Sequence, residues 1–137
     1  MRGEPYAWRL SLARVSDTLG PLRFDDETGL VAVDPARLGD AVIARKDFPA
    51  SYHLACVWDD ALQGVTDVIR GEDLRDCAHL HVVLQNLLGL PTPRYRHHRL
   101  IADASGRRLA KRDKDETLRS LRARGVTPAE IRAQLGL

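Results

Sequence analysis

The chain has 137 residues, 44% of them hydrophobic and 29% charged, the balance of a globular domain. No run of about 18 apolar residues occurs, which excludes a simple spanning helix, and the opening MRGEPYAWRL lacks the apolar core of a secretory signal. Two cysteines, Cys56 and Cys77, make neither a disulfide framework nor a structural zinc site, and they fit a reducing, cytoplasmic compartment with no membrane partner.

The first fifty residues are dense in turn formers, among them Gly20, Pro21, Gly29, Pro35 and Gly39. Short apolar stretches between them, Tyr6 to Leu10, Leu30 to Val33 and Ala41 to Lys46, predict strands, so residues 1–50 form a small strand-rich subdomain. Ser51 to Val57 predicts a further strand, with Tyr52, Leu54 and Cys56 on one face and Asp59-Asp60 capping a short turn after it. Gly64 to Gly71 reads as another strand. From Leu74 to Leu88 the apolar spacing becomes helical, and Gly89 with Pro91 marks its end. A strand over Tyr95 to Ile101, a turn at Ala104-Ser105-Gly106 and a helix from Asp115 to Arg122 follow. Thr127-Pro128-Ala129-Glu130 is a capping box with proline at the first helical position, opening a last helix to Leu135.

From Thr66 onward the order is strand, helix, strand, basic loop, helix. That crossover makes the two strands parallel neighbours and gives an α/β fold. In such sheets ligands collect at the carboxyl ends of strands, where Arg70 and the loop after Ile101 lie. The guanidinium of Arg70 suits a carboxylate through paired hydrogen bonds; the bland alternative is a salt bridge to Glu72 or Asp73. Tyr52 offers a phenol to a ligand, or is an ordinary half-buried aromatic.

Charge is uneven along the chain. Between Arg94 and Arg112 stand seven basic residues against Asp103 alone, a net +6 over 19 residues, which leaves −4 for the remainder of the net +2. Such a run points to phosphates. Its segment Arg107 to Arg112 follows a glycine turn and is suited to folding over a triphosphate. The adjacent pair His97 and His98 points to opposite sides of a strand, and His79 and His81 do not face one ion on a helix, so no metal site is assigned.

The segment SYHLACVWDDALQGVTDVIRGED, Ser51 to Asp73, resembles the class I glutamyl-tRNA synthetase family. The resemblance rests on Tyr52, His53, Leu54, Ala55, the aspartates Asp59 and Asp60, and the run Gly64-Val65-Thr66 to Arg70-Gly71 with Asp73. Downstream, Arg108, Leu109, Ala110, Lys111 and Arg112 match the position of the family's KMSKS-type loop, with Ala110 where serine is usual. The likeness is greatest to a shortened branch that lacks an anticodon-binding domain and attaches glutamate to the queuosine base of a tRNA.

The resemblance implies the C-terminal part of a Rossmann-like catalytic domain: the end of a connecting insertion over residues 1–50, then the second half of the nucleotide-binding domain over 51–137. It implies ATP, magnesium accompanying the ATP, glutamate and tRNA as partners, and no zinc site in these residues. Tyr52 and Arg70 would bind glutamate, residues 108–112 would form the ATP-binding loop, and Lys111 would be the catalytic contact to the separating phosphates. The family's HIGH-type motif, which holds ATP, is nowhere in the 137 residues, so activity from them alone is not expected. A sheet edge left uncovered invites self-association. The alternatives are a non-catalytic nucleotide- or tRNA-binding remnant, and a fragment of an ordinary glutamyl-tRNA synthetase.

Overall fold

The computed structural model describes residues 6–102 and 117–136. The chain divides into two compact units, 1–98 and 99–137.

The first unit is mixed α/β. Strand β1 (Trp8–Leu10) pairs antiparallel with β4 (Ala41–Ala44), and β2 (Arg23–Asp26) with β3 (Gly29–Ala32). The β2–β3 turn is fastened by Asp26, whose Oδ1 accepts from the amide and the hydroxyl of Thr28, both at 2.6 Å. Helix α1 (Leu12–Leu19) follows β1 and precedes the β2–β3 hairpin in sequence and turns Leu12 and Val15 into the core. Asp40, just before β4, accepts from the Leu12 amide at 3.3 Å, placing a carboxylate at the helix start where free N–H groups favour it.

Residues 51–57 form no strand. They open helix α2 (Tyr52–Leu62), and the reason is the cap: Ser51 Oγ accepts from the Leu54 amide at 3.3 Å. The alternation of Tyr52, Leu54 and Cys56 was misleading. Burial follows a helical period instead, with His53, Cys56, Val57 and Asp60 turned inward and Tyr52 and Trp58 exposed. Asp59 and Asp60 therefore lie inside the helix. Gly64, at φ 68°, ends it, and the Val65 amide reaches back to the Asp60 carbonyl at 2.9 Å.

Strand β5 (Asp67–Gly71) leads through a 3-10 turn (Glu72–Leu74) into α3 (Cys77–Leu88), and β6 (Arg94–His98) returns parallel to β5. The crossover expected from the sequence is present. The register pairs Val68 with Tyr95 and Arg70 with His97, which puts all four on one face. Residues Ala78 to Gln85 of α3 are all buried, because the helix is wrapped on two sides. Leu80, Val83 and Leu84 join Leu12, Val15, Ala41 and Val57 in one cluster; Ala78 and Val82 meet Phe24 and Tyr95 in another. Residues on both sides of position 50 thus share a core.

The second unit carries α4 (Leu118–Ala123) and α5 (Pro128–Leu135). Each opens on a capping box, Thr117 with Ser120 and Thr127 with Glu130, the latter as the sequence predicts. Two elements escaped the sequence reading: α1, although Leu12, Val15 and Leu19 have helical spacing, and β2, whose Arg-Phe-Asp-Asp composition is poor in strand formers.

Candidate active site

Arg70 is the fourth of five residues in β5, one short of the strand's end. Its guanidinium makes no ion pair with a carboxylate among the described residues. Instead Nε donates to His97 Nε2 at 3.3 Å, Nη1 contacts His81 Nδ1 at 3.3 Å, and the guanidinium carbon lies 5.2 Å over the Tyr95 ring. Nη2 is buried and has no hydrogen-bond partner among the described residues. The salt bridge to Glu72 or Asp73 does not form.

The rings around Arg70 come from three elements. His97 is its register partner on β6, stacked on Tyr95 at 6.4 Å with the planes 5° apart. His81 lies on α3 and is 1% exposed. Its Nε2 meets His53 Nδ1 of α2 at 3.1 Å. Tyr52 tilts over His81 with ring centroids 6.1 Å apart, so Tyr52 and Arg70 flank the same imidazole rather than touching each other. Tyr52 itself is 57% exposed and, with His53, Phe48, Ser51, Cys77 and Leu80, lines an open cavity of about 720 Å³.

Electrostatics follow from burial and from the guanidinium. Burial, then the Arg70 charge and His53, hold His81 down at about 3. Burial and Arg70 also lower His53 and His97. Burial pushes the Tyr95 phenol up to about 12, although Gln85 Nε2 donates to its oxygen at 3.0 Å. All of these rings are therefore neutral near pH 7, and the charge among them is that of Arg70. Behind His97, its amide donates to Glu27 Oε2 at 3.1 Å and its Nδ1 lies 3.6 Å from the same oxygen. Arg75 clamps the acidic turn, bonding Asp26 at 3.1 Å and Glu27.

The histidines were the residues sequence reasoning passed over. His79, His81, His97 and His98 were weighed only as metal ligands and His53 only as part of the family resemblance, and the two on α3 in fact part: His79 accepts from the Asp34 amide at 2.9 Å and packs edge-on to Phe24, while His81 turns to Arg70. The available signal was histidine in the middle of a buried helix, where it must be hydrogen-bonded. The predicted phosphate loop, Arg108, Leu109, Ala110, Lys111 and Arg112, lies outside the described residues. Of the basic run that is described, Arg94 pairs with Asp67 at 2.8 Å and Arg96 with Asp25 at 3.8 Å, which lowers the local excess of charge.

A parallel β–α–β crossover, with a half-buried arginine near the carboxyl end of its first strand that pairs with no carboxylate among the described residues, defines an α/β protein. Residues 2–137 match the family profile described as tRNA synthetases class I (E and Q), catalytic domain. The chain belongs to that family. It is similar to the glutamyl-Q tRNA(Asp) synthetase of Rhodobacter capsulatus, 56% identical over 100 residues that cover 73% of this chain and 36% of the relative. The protein of that name from Albidiferax ferrireducens is 50% identical over 84 residues, 61% of this chain and 27% of its own length. Among solved structures, a glutamate tRNA ligase from Elizabethkingia meningosepticum in complex with its amino acid superposes with a TM-score of 0.57 at 34% identity, over 69% of this chain and 19% of that one. The glutamate-tRNA synthetase of Elizabethkingia anophelis gives 0.55 at 30% identity over 81% of this chain and 20% of that one. The chain spans about a third or less of the length of these relatives.

Proposed function

We propose that these residues are the C-terminal part of the catalytic domain of an ATP-dependent ligase that activates glutamate and transfers it to the queuosine base of a tRNA. In the first step a glutamate carboxylate oxygen attacks the α-phosphate of ATP, the bond to pyrophosphate breaks, and an acyl-adenylate forms. In the second a nucleophile on the tRNA displaces AMP. Residues 1–50 are read as the end of a connecting insertion and 51–137 as the second half of the nucleotide-binding domain.

Arg70 takes a glutamate carboxylate. The observation that carries this reading is the buried Nη2, without a partner among the described residues, on a guanidinium whose hydrogen bonds among them go only to imidazoles. A buried cationic donor left so costs several kcal/mol, and a carboxylate answers it with two parallel bonds. Tyr52 lies at the rim and closes over the bound amino acid. Lys111, within the loop 108–112, opposes the charge on the separating phosphates. Magnesium accompanies the ATP. The outer edge of β5, with Ile69 73% exposed on the face away from Arg70, is read as a surface for a second copy of the chain.

Calorimetric titration with glutamate tests the central assignment. Arg70→Ala is expected to weaken binding by about 2–5 kcal/mol, the cost of removing one partner of a desolvated charge pair, or about 30-fold to several thousand-fold. Equal affinity in variant and parent contradicts it.

A further inference from the structure

Arg70 is held by a chain of side chains whose hydrogen bonds have only one consistent direction. A guanidinium donates and never accepts. His97 Nε2, 3.3 Å from Arg70 Nε, must therefore be the unprotonated nitrogen of its ring, and the proton of neutral His97 is at Nδ1, facing Glu27 Oε2 at 3.6 Å. The same holds on the other side. His81 Nδ1, 3.3 Å from Arg70 Nη1, must accept, so His81 carries its proton at Nε2. That proton points at His53 Nδ1, 3.1 Å away, which in turn must accept and leaves the His53 proton at Nε2.

We propose that His97 and His81 are positioning residues for Arg70, locked as the Nδ1–H and Nε2–H tautomers respectively, with His53 fixing His81 from behind. The line of contacts runs from Glu27 at the β2–β3 turn, through β6 and β5, to α3 and the first turn of α2. It grips the guanidinium by Nε on one edge and by Nη1 on another and leaves Nη2, like His97 Nδ1, without a hydrogen-bond partner among the described residues. Neutral acceptors fix orientation without cancelling the charge, which a carboxylate in either place would do. Geometry alone sets this apart from a core histidine that merely fills space: His79, on the same helix, bonds a backbone amide and touches none of these groups. The functional side of the inference rests on the reading of Arg70 as the carboxylate site; the tautomers do not.

Two-bond ¹H–¹⁵N spectra of the ¹⁵N-labelled chain near pH 7.5 read the tautomers directly, with no ligand present. The expected pattern is His97 protonated at Nδ1, and His81 and His53 protonated at Nε2. A proton on His97 Nε2 or His81 Nδ1 overturns the proposal. The Arg70 Nε–H resonance supplies a second readout. In His97→Phe, which keeps a ring and loses the acceptor, its exchange with water should speed by about tenfold or more, the factor for losing one hydrogen bond to a charged group. His97→Gln, which returns an acceptor at the Nε2 position, should restore slow exchange. Fast exchange in both variants, or slow exchange in both, means that His97 does not hold Arg70. Glutamate added last separates the readings. Tautomers as expected with no effect of glutamate on Arg70 would leave the relay standing and defeat the carboxylate assignment; unexpected tautomers with clear glutamate binding would do the reverse.

Discussion

Arg70 pairs with two imidazoles and with no carboxylate among the described residues, and its surroundings follow from three local facts. Parallel register delivers His97, a buried helix delivers His81, and an aromatic ring of the same strand as His97 lies beneath the cation. The depressed histidines have a consequence for stability against pH. In the unfolded chain each histidine titrates near 6.5, whereas folded His81 stays neutral to about 3. Below about pH 6.5 the unfolded state binds the additional proton, so stability is full above that pH and declines as pH falls toward 3. The expected loss is about 1.4 kcal/mol per pH unit for such a histidine, read as a drop in the urea midpoint. His81→Phe should flatten this slope between pH 6 and 4, and an unchanged slope would show that His81 is not buried neutral. Leu80, the preceding residue of α3, is 2% exposed and should cost about 2–5 kcal/mol when truncated to alanine, measured by the same denaturation.

At the scale of elements, the site depends on where α2 begins. Ser51 Oγ caps the helix at Leu54, and Tyr52 and His53 are its first two residues. Ser51→Ala should cost about 1 kcal/mol in stability and loosen the pair, visible as broadening of the His53 resonance; a change in neither would mean that packing alone fixes the helix start. This element was also the one misread from the sequence. An alternating apolar pattern over Tyr52, Leu54 and Cys56 outweighed a serine in N-cap position, and seven residues are too few to separate the two periods. The β5–α3–β6 crossover was legible because its signals agree: an apolar run ending at Arg70-Gly71, a fifteen-residue helical pattern and a Gly89 stop. The place of Arg70 near a strand end was legible too. Its histidine partners were not, because they come from positions 27 residues later on β6 and 11 later on α3, and only the parallel register brings them together.

For the molecule as a whole, family membership and reach are separate matters. The chain matches the class I E and Q catalytic domain over residues 2–137 and spans 36% of the Rhodobacter capsulatus relative. The β5–β6 pair has a face with an exposed apolar residue. A parallel pair is ordinarily covered on both faces, and here Ile69 is 73% exposed on the second. Sedimentation equilibrium of the isolated chain should show concentration-dependent dimers, weakened by Ile69→Lys; a monomer throughout would remove the self-association reading. The carboxylate site is tested most directly by the Arg70 Nε–H resonance during a titration with glutamate at millimolar concentrations. It is expected to shift in a saturable manner, while equal chloride leaves it in place and Arg70→Ala abolishes binding. An Arg70 signal that ignores glutamate, or shifts equally with chloride, would contradict the assignment of this guanidinium to the amino-acid carboxylate.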